Sequence, residues 1–362
     1  MNSPDSSEAE HLSEEGYRLL EIGRVDEARV LLTRARELAP DNALVHYRLG
    51  LLFSDIGRPA DALEALDVSL NLQGDNARAH NNRGAALQRL GRLSEAEQAF
   101  RRALDLSPDV APPYINLGHL LEQQGRSLEA VQLYEQAVAR GVDAAIFSHH
   151  IAAATGQVTD RAPSNWVRAT FDNFAPTFDS HLDQLHYEVP AQLVRLLGPR
   201  AAGLFDVLDL GCGTGRCGLS LAQHKRYLVG VDLSEKMLVQ TRLRGIYDEL
   251  HLGEVHTWLR AVRPARFDLV IATDVLIYIG ALEELFGEVA RVLRVGGRFA
   301  FSTEECMGSD YTLLPTGRYA QSQAYIRQLA QSAFRTEADQ AAVIRMESGV
   351  PIQGRLYVLQ KH

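Results

Sequence analysis

The sequence predicts an all-α solenoid over residues 1–156, followed by an α/β domain with a mostly parallel sheet over residues 165–362. Three observations carry this. Side-chain types recur every 34 residues through the first 142 positions. An apolar run, Leu204 to Leu210, stops in Gly211-Cys212-Gly213-Thr214-Gly215 and gives way to a helical pattern from Arg216 to about Gln223. Short apolar strands then alternate with helical stretches, the pattern of a parallel sheet covered by helices. With 362 residues, each part can bury a core of its own.

Composition narrows the function. Residues 1–160 hold 15 basic and 24 acidic side chains, net −9, and residues 161–362 hold 22 of each. Neither part offers the positive field that nucleic-acid binding needs. No apolar run approaches the length of a membrane span, and the acidic start Met1 to Glu10 is unlike a signal peptide. Cys212, Cys217 and Cys306 show no disulfide or metal spacing, which points to reduced thiols in a cytoplasmic protein and to no metal site.

In the first part, Gly16, Gly50, Gly84 and Gly118 recur with period 34, as do Ala28, Ala62, Ala96 and Ala130. The bulky series Leu32, Leu66, Phe100 and Tyr134 keeps step. A Gly-Arg pair (Gly23-Arg24, Gly57-Arg58, Gly91-Arg92, Gly125-Arg126) marks each mid-repeat turn, where glycine ends a helix in the left-handed conformation. Small residues where two helices cross permit close approach, and the large residue fills the gap beside them. These positions resemble tetratricopeptide repeats over residues 9 to about 142. Asp143 to Thr155 reads as a capping helix, which a solenoid needs; its His149 and His150 read as surface or packing histidines before metal ligands. The resemblance implies a concave face that binds a peptide or protein. Asn82 and Asn116, with Asn81, belong to the region lining it and offer hydrogen bonds to an extended backbone; as plain helix residues they are solvated.

Residues 157–164 read as a linker. Trp166 to Leu197 looks helical with interruptions, one of them at Pro176, and precedes the first strand. Phe171, Phe174 and Phe178 share a face, so these lid helices (165–200) either pack on the sheet edge or cover a bound ligand with Tyr187. His181 and His186 are candidate bases there.

The glycine turn is the chemical centre. Glycine serves where φ is positive or a ligand touches backbone, and the following helix points free N–H groups at the turn. Asp232 ends the next strand, 23 residues after Asp209, where an acid holds ribose hydroxyls. A dinucleotide site would show G-x-G-x-x-G; here the spacing is G-x-G-x-G, and Asp209 stands two residues before it. A carboxylate there repels a pyrophosphate but accepts a hydrogen bond from an ammonium group. The motif resembles motif I of class I S-adenosylmethionine-dependent methyltransferases, with a Rossmann-like, seven-stranded sheet expected over residues 201–362. The resemblance implies S-adenosylmethionine as cofactor, bound by Asp209, Gly211, Cys212, Gly213 and Gly215, by Asp232 and Leu233, by Glu254 and Val255 at the adenine, and by Thr273.

Further elements follow in order. Ser234 caps a helix to about Arg244, and Leu250 to Gly253 forms a short strand. Phe267 to Thr273 is a near-continuous apolar strand, as expected when helices cover both faces. Its tip, Asp274 to Ile279, borders the methionine end of the cofactor in this resemblance, with Tyr278 orienting a substrate or walling the site. A Gly296-Gly297 turn leads into strand Arg298 to Thr303. Glu304 and Glu305 end that strand, where open α/β sheets bind ligands. Met307 to Tyr319 reads as a long polar loop carrying Tyr311, Arg318 and Tyr319 toward a substrate. Helix Gln321 to Ala333 and two strands joined at Gly349 and Pro351 complete the domain. The whole resembles bacterial methyltransferases that carry tetratricopeptide repeats.

That resemblance implies methyl transfer to an O, N, S or C nucleophile. Alignment supplies much of such a rate, and Tyr278, Glu304, Glu305 or His181 is the base where one is needed. Three functions follow: a peptide or protein methyltransferase fed by the solenoid; a small-molecule methyltransferase whose repeats make a homodimer or dock a partner; and an adaptor without activity. The intact glycine loop and its acids favour the enzymes, and the peptide acceptor is the expectation carried forward.

Overall fold

In the computed structural model, residues 4–175, 177–198, 204–308, 310–347 and 350–362 are described. Pro176 and Gly349, expected at a helix break and a hairpin, lie outside them. The chain divides into two compact units, at Thr155 and Gly156.

The first unit is helical throughout, from Pro4–Glu21 to the final helix Ala144–Thr155. Gly23, Gly57, Gly91 and Gly125 have φ of 77°, 72°, 74° and 75°, which ends the first helix of each repeat. The arginine after each glycine pairs with an acid three residues on: Arg24 with Glu27, Arg58 with Asp61, Arg92 with Glu95, Arg126 with Glu129. A Cβ on Gly84 would fall 2.5 Å from the Phe100 ring, and one on Gly50 2.6 Å from Leu66, so each small residue makes room for the bulky one 16 positions later. His46, His80 and Tyr114, again 34 apart, bond the carbonyls of Pro40, Gly74 and Pro108 at 2.8, 3.0 and 2.9 Å. In the last helix, Phe147 packs edge-on to Tyr114 and tilted on Tyr134, and both His149 and His150 are buried. His150 stacks on Tyr134, and burial pushes it down to about 3.

The second unit is built on a sheet of β1 (Phe205–Leu210), β2 (Lys225–Asp232), β3 (Glu249–Leu252), β4 (Phe267–Ala272), β5 (Leu293–Glu305), β6 (Tyr311–Leu313), β7 (Tyr319–Gln321), β8 (Phe334–Glu347) and β9 (Val350–Lys361). Its main path runs β3-β2-β1-β4-β5-β9-β8. The first five strands are parallel, and β9 is antiparallel to both neighbours. Side chains of β1 alternate between two cores: Leu208 and Leu210 on one face, Phe205 and Val207 on the other. β2 and β4 flank β1, so the chain reverses direction of travel at β1, and a crevice opens beyond its carboxyl end.

Three expectations change. The polar loop after β5 contains β6 and β7, and β7 continues the sheet beside the tip of β5 at Glu304 and Glu305. β5 starts at Leu293 and runs through the Gly296-Gly297 turn. The stretch read as a linker is stitched onto the second unit: Gly280 and Ala281 donate N–H to the Asp160 carbonyl at 2.8 and 2.9 Å, and Ala162 donates to that of Tyr278 at 3.0 Å.

Candidate cofactor and acceptor site

The glycine loop hangs from the end of β2, since the N–H groups of Gly211 and Cys212 donate to the Val231 carbonyl at 2.8 and 3.1 Å. Gly211, Gly213 and Gly215 have φ of 66°, 54° and 87°. At Gly211 a Cβ would run into Val275 beyond β4, so the loop and the β4 tip touch. Gly215 begins the helix Arg216–Leu221, and a Cβ there would lie 3.0 Å from Thr241 and 3.1 Å from Tyr247.

Asp232 lies over this loop. Its Oδ2 accepts the Gly213 N–H at 2.8 Å and its Oδ1 the Ser234 N–H at 2.8 Å. Burial pushes its carboxyl up, against the N–H groups of Ser234, Gly213 and Leu233, with Asp172 adding to the rise. Leu233, Gly211, Gly213, Thr273, Asp274, Val275 and Tyr278 are all part-exposed, which marks the open face of the crevice.

Asp209 is 0% exposed, and Tyr247 donates its hydroxyl to Oδ2 at 2.5 Å beneath the loop. Its Oδ1 is enclosed and, among the described residues, has no hydrogen-bond partner. Burial brings the Asp209 carboxyl up to about 7, Tyr247 opposing and Asp232 assisting. Cys212 is likewise buried, and burial pushes its thiol up. Glu254 begins the helix Val255–Ala261 as its cap, Oε2 accepting the Thr257 N–H and Oε1 facing His256 Nδ1, both at 2.8 Å. Partial burial opposes its charge, yet His256 and the capping N–H groups bring it down to about 2. Its carboxylate is thus committed to the helix start, whereas an adenine contact was expected.

Three lid helices, Ser164–Phe174, Phe178–Gln184 and Val189–Leu196, precede β1. Their carboxylates reach the glycine loop. Ser234 donates to Asp172 at 2.5 Å and Thr214 to Asp179 at 2.6 Å, while Arg244 also pairs with Asp179 and Arg216 with Asp183 at 2.7 Å. A Cβ on Gly213 would come 3.8 Å from the Phe178 ring. Phe171 meets Phe178 and Tyr278 edge-on at 5.8 and 5.5 Å, and Trp166 meets Tyr278 at 6.0 Å. Tyr187 is buried, and burial pushes its hydroxyl up, with Asp274 adding to the rise and Thr273 opposing it. His181, expected as a base, is exposed and stacks on Phe174, which is itself 40% exposed, so it sits on the outside of the lid.

At the tips of β4 and β5 lies an ion network. Arg345 on β8 is 4% exposed and bonds Asp274, Glu304 and Glu347. Arg318 pairs with Glu304 at 2.8 Å and Glu347 at 3.0 Å, so the arginine read as a substrate contact is held by protein carboxylates. Glu304 is buried between the guanidinium groups of Arg318 and Arg345, so the carboxylate read as a candidate base is committed to ion pairs. Glu305 points to the opposite face of β5, toward Arg355 at 3.4 Å, because successive strand residues alternate. Tyr311 and Tyr319 are corrections too. Tyr311 donates to Asp160 at 3.0 Å, Tyr319 is fully buried and bonds Thr159, and both rings pack where Gly280 lacks a Cβ. Tyr278 stays at the crevice, and burial pushes its hydroxyl up to about 12. In the first unit, Asn116 donates to Asn81 at 2.9 Å and Asn82 to Tyr47 at 3.3 Å, so these amides bridge adjacent repeats.

Sequence reasoning passed over Tyr247, Arg345 and the lid acids Asp172, Asp179 and Asp183. It placed Asp274 at the tip bordering the methionine end but gave it no chemical role, although it lies just beyond β4 as Asp232 lies at the end of β2. Among the described residues no group of three or more His, Cys, Asp or Glu is arranged to hold a metal, and no helix is long and apolar enough to cross a membrane.

Residues 208–301 match the family described as a methyltransferase domain, and residues 19–85 and 75–140 match tetratricopeptide-repeat families. The chain is 30% identical over 172 residues to malonyl-[acyl-carrier protein] O-methyltransferase of Salmonella typhimurium, covering 48% of this chain and 64% of that protein. It is 30% identical over 158 residues to ubiquinone biosynthesis O-methyltransferase of Azoarcus sp., covering 39% and 66%. It is 33% identical over 150 residues to demethylmenaquinone methyltransferase of Leptospira interrogans, covering 38% and 59%. The chain thus spans 59–66% of the length of these three relatives. Glycine loop, crevice and family match converge: the chain joins tetratricopeptide repeats to a methyltransferase domain.

Proposed function

We propose that the second unit transfers a methyl group from S-adenosylmethionine to a small-molecule acceptor, and that the repeats dock a protein partner. The observation that supports the cofactor is Asp232, fixed over the glycine loop by two N–H bonds at the end of β2, where an acid suits ribose hydroxyls. The residues present suit this cofactor. Asp232 and Asp172 set carboxylates beside the loop, which disfavour a pyrophosphate and favour a cationic amino-acid nucleoside. Gly211, Gly213 and Leu233 offer backbone to it, and Thr273 borders its methionine end.

S-adenosylmethionine, when bound, supplies a methyl group already activated by the sulfonium. The chain's own residues have three tasks. Asp172, Asp179 and Asp183 hold the lid against the loop, Phe171 and Phe178 keep water out, and Tyr187 and Tyr278 shape the acceptor end. Orientation of this kind is worth up to roughly 7–11 kcal/mol.

The relatives are named for malonyl-[acyl-carrier protein], ubiquinone biosynthesis and demethylmenaquinone, which supports a small acceptor over a peptide. A peptide acceptor held by the repeats is the second reading. It is favoured by the net −9 of residues 1–160, and turnover on any free small acceptor sinks it. The buried Cys212 and Cys217 accord with a reducing cytoplasm.

Titration calorimetry with S-adenosylhomocysteine tests the cofactor site. Micromolar binding by the parent, lost in Asp232→Ala, is the expected result; absence of binding by the parent overturns the proposal.

A further inference from the structure

Asp274 stands where the β4 tip meets the glycine loop, and its backbone is left-handed, φ 57°, on a residue with a side chain. Such strain persists only where surrounding structure enforces it, and it gathers at functional sites. Here Ser302 enforces it, accepting the Asp274 N–H at 3.0 Å. The side chain is half used: Oδ2 takes Arg345 at 3.0 Å, whereas Oδ1 is enclosed and, among the described residues, has no hydrogen-bond partner. An enclosed carboxylate oxygen without a donor is costly unless something bound supplies one.

Charge selects the donor. The network holds three carboxylates, Asp274, Glu304 and Glu347, against two guanidinium groups, Arg318 and Arg345, a net charge of −1. A carboxylate acceptor is repelled there. A hydroxyl acceptor develops negative charge as it attacks, which the network opposes. An amine develops positive charge, which the network favours.

We propose that Asp274 is a catalytic residue whose free carboxylate oxygen receives the N–H of an amine, so that the reaction is N-methylation of a small amine. This rests on the methyl-transfer reading above. The amine lone pair forms the new N–C bond while the C–S bond breaks, its electron pair leaving on sulfur. The product leaves as the ammonium, its proton held in the hydrogen bond to Asp274 until water takes it on release. Burial, opposed by Arg345 and aided by Glu304, brings the Asp274 carboxyl up to about 6, so near neutrality it is ionised and stabilises the positive charge that develops on nitrogen.

Two probes of the whole 362-residue chain test this without knowledge of the acceptor. S-adenosylhomocysteine has no group at the methyl position, whereas its analogue sinefungin carries a primary ammonium there. The parent is expected to bind sinefungin about tenfold tighter, and Asp274→Asn to lose that preference while keeping its S-adenosylhomocysteine affinity, which also reports an intact fold. Equal affinities in the parent, or a preference that survives in Asp274→Asn, overturn the proposal. Failure of the parent to bind either compound overturns the cofactor reading itself. Phenethylamine and 3-phenylpropanoate, matched in size, then report the class. Methyl transfer to the amine is expected, falling roughly 100-fold in Asp274→Asn; transfer to the carboxylate, or to neither, overturns the amine assignment.

Discussion

Tyr247 donates its hydroxyl to Asp209 at 2.5 Å beneath the glycine loop, and the same oxygen accepts the Gly218 N–H at 3.1 Å. Its ring occupies the space that Cβ atoms on Gly215, Gly218 and Gly230 would need, at 3.1, 2.5 and 2.9 Å. One side chain therefore fixes the floor of the loop, the first helix after it and the middle of β2 together.

Replacing Tyr247 by Phe keeps the ring and removes only the hydroxyl. The Asp209 carboxyl and the Gly218 N–H then lose a partner in a dry site. The expected cost is about 1–3 kcal/mol of stability, read by urea denaturation, with weaker S-adenosylhomocysteine binding as the loop loosens.

Asp209 also makes the second unit sensitive to pH. Its folded pKa of about 7 exceeds the unfolded value of about 3.9, so between these limits the folded state holds a proton that the unfolded state has lost. Its contribution is therefore fully present below about pH 4 and lost as pH rises to about 7, with a slope of at most about 1.4 kcal/mol per pH unit. Unfolding free energies of the parent and Asp209→Asn between pH 4.5 and 8 should differ in slope by up to that amount. Parallel curves refute it.

Arg345→Ala leaves Asp274, Glu304 and Glu347 facing one another with only Arg318 for partner. Removing one side of a buried ion network costs about 3–5 kcal/mol. Arg318→Ala should cost less, because Arg318 keeps 18% of its side chain in contact with solvent against 5% for Arg345. Urea denaturation of both variants gives the ranking.

Gly84→Ala forces a methyl group against Phe100 and should destabilise the repeats by about 1–3 kcal/mol. Combining it with Phe100→Leu opens the space again, and the double variant should recover part of the loss. Additive costs in the double-mutant cycle contradict the packing argument.

Asp179→Ala cuts the lid from Thr214 and Arg244. A charged hydrogen bond of this kind is worth on the order of 1.4 kcal/mol, or tenfold in release rate. Stopped-flow dissociation of S-adenosylhomocysteine should quicken by about that factor, and an unchanged rate removes the lid from the proposal.

The repeats were legible because period 34 exposes Gly16 and Leu32, or Gly84 and Phe100, as paired columns. The glycine loop and Asp232 were legible because each sits at a strand end, and position along a strand dictates direction. What escaped has its partners far along the chain. Arg345 meets Glu304 across 41 residues and Asp274 across 71, so no local spacing could flag it. The same distance effect misled the reading of Arg318, Tyr311 and Tyr319. On a presumed loop they pointed to a substrate, but β6 and β7 turn them onto Glu304, Asp160 and Thr159. Asp209 was recognised by its place before the glycines, yet the alternation of β1 puts it under the loop.

The pairing of each small residue with the bulky one 16 positions later has a consequence for how the array can change. Leu32, Leu66, Phe100 and Tyr134 differ in size, but each is matched to a glycine within its own repeat. The peg from His46, His80 or Tyr114 to the preceding turn joins residues only six apart. A crossover between gene copies that gains or loses one 34-residue module would therefore carry each fitted pair along whole. The array can lengthen or shorten in single steps with each fitted pair intact, and its length can evolve separately from the chemistry of the second unit.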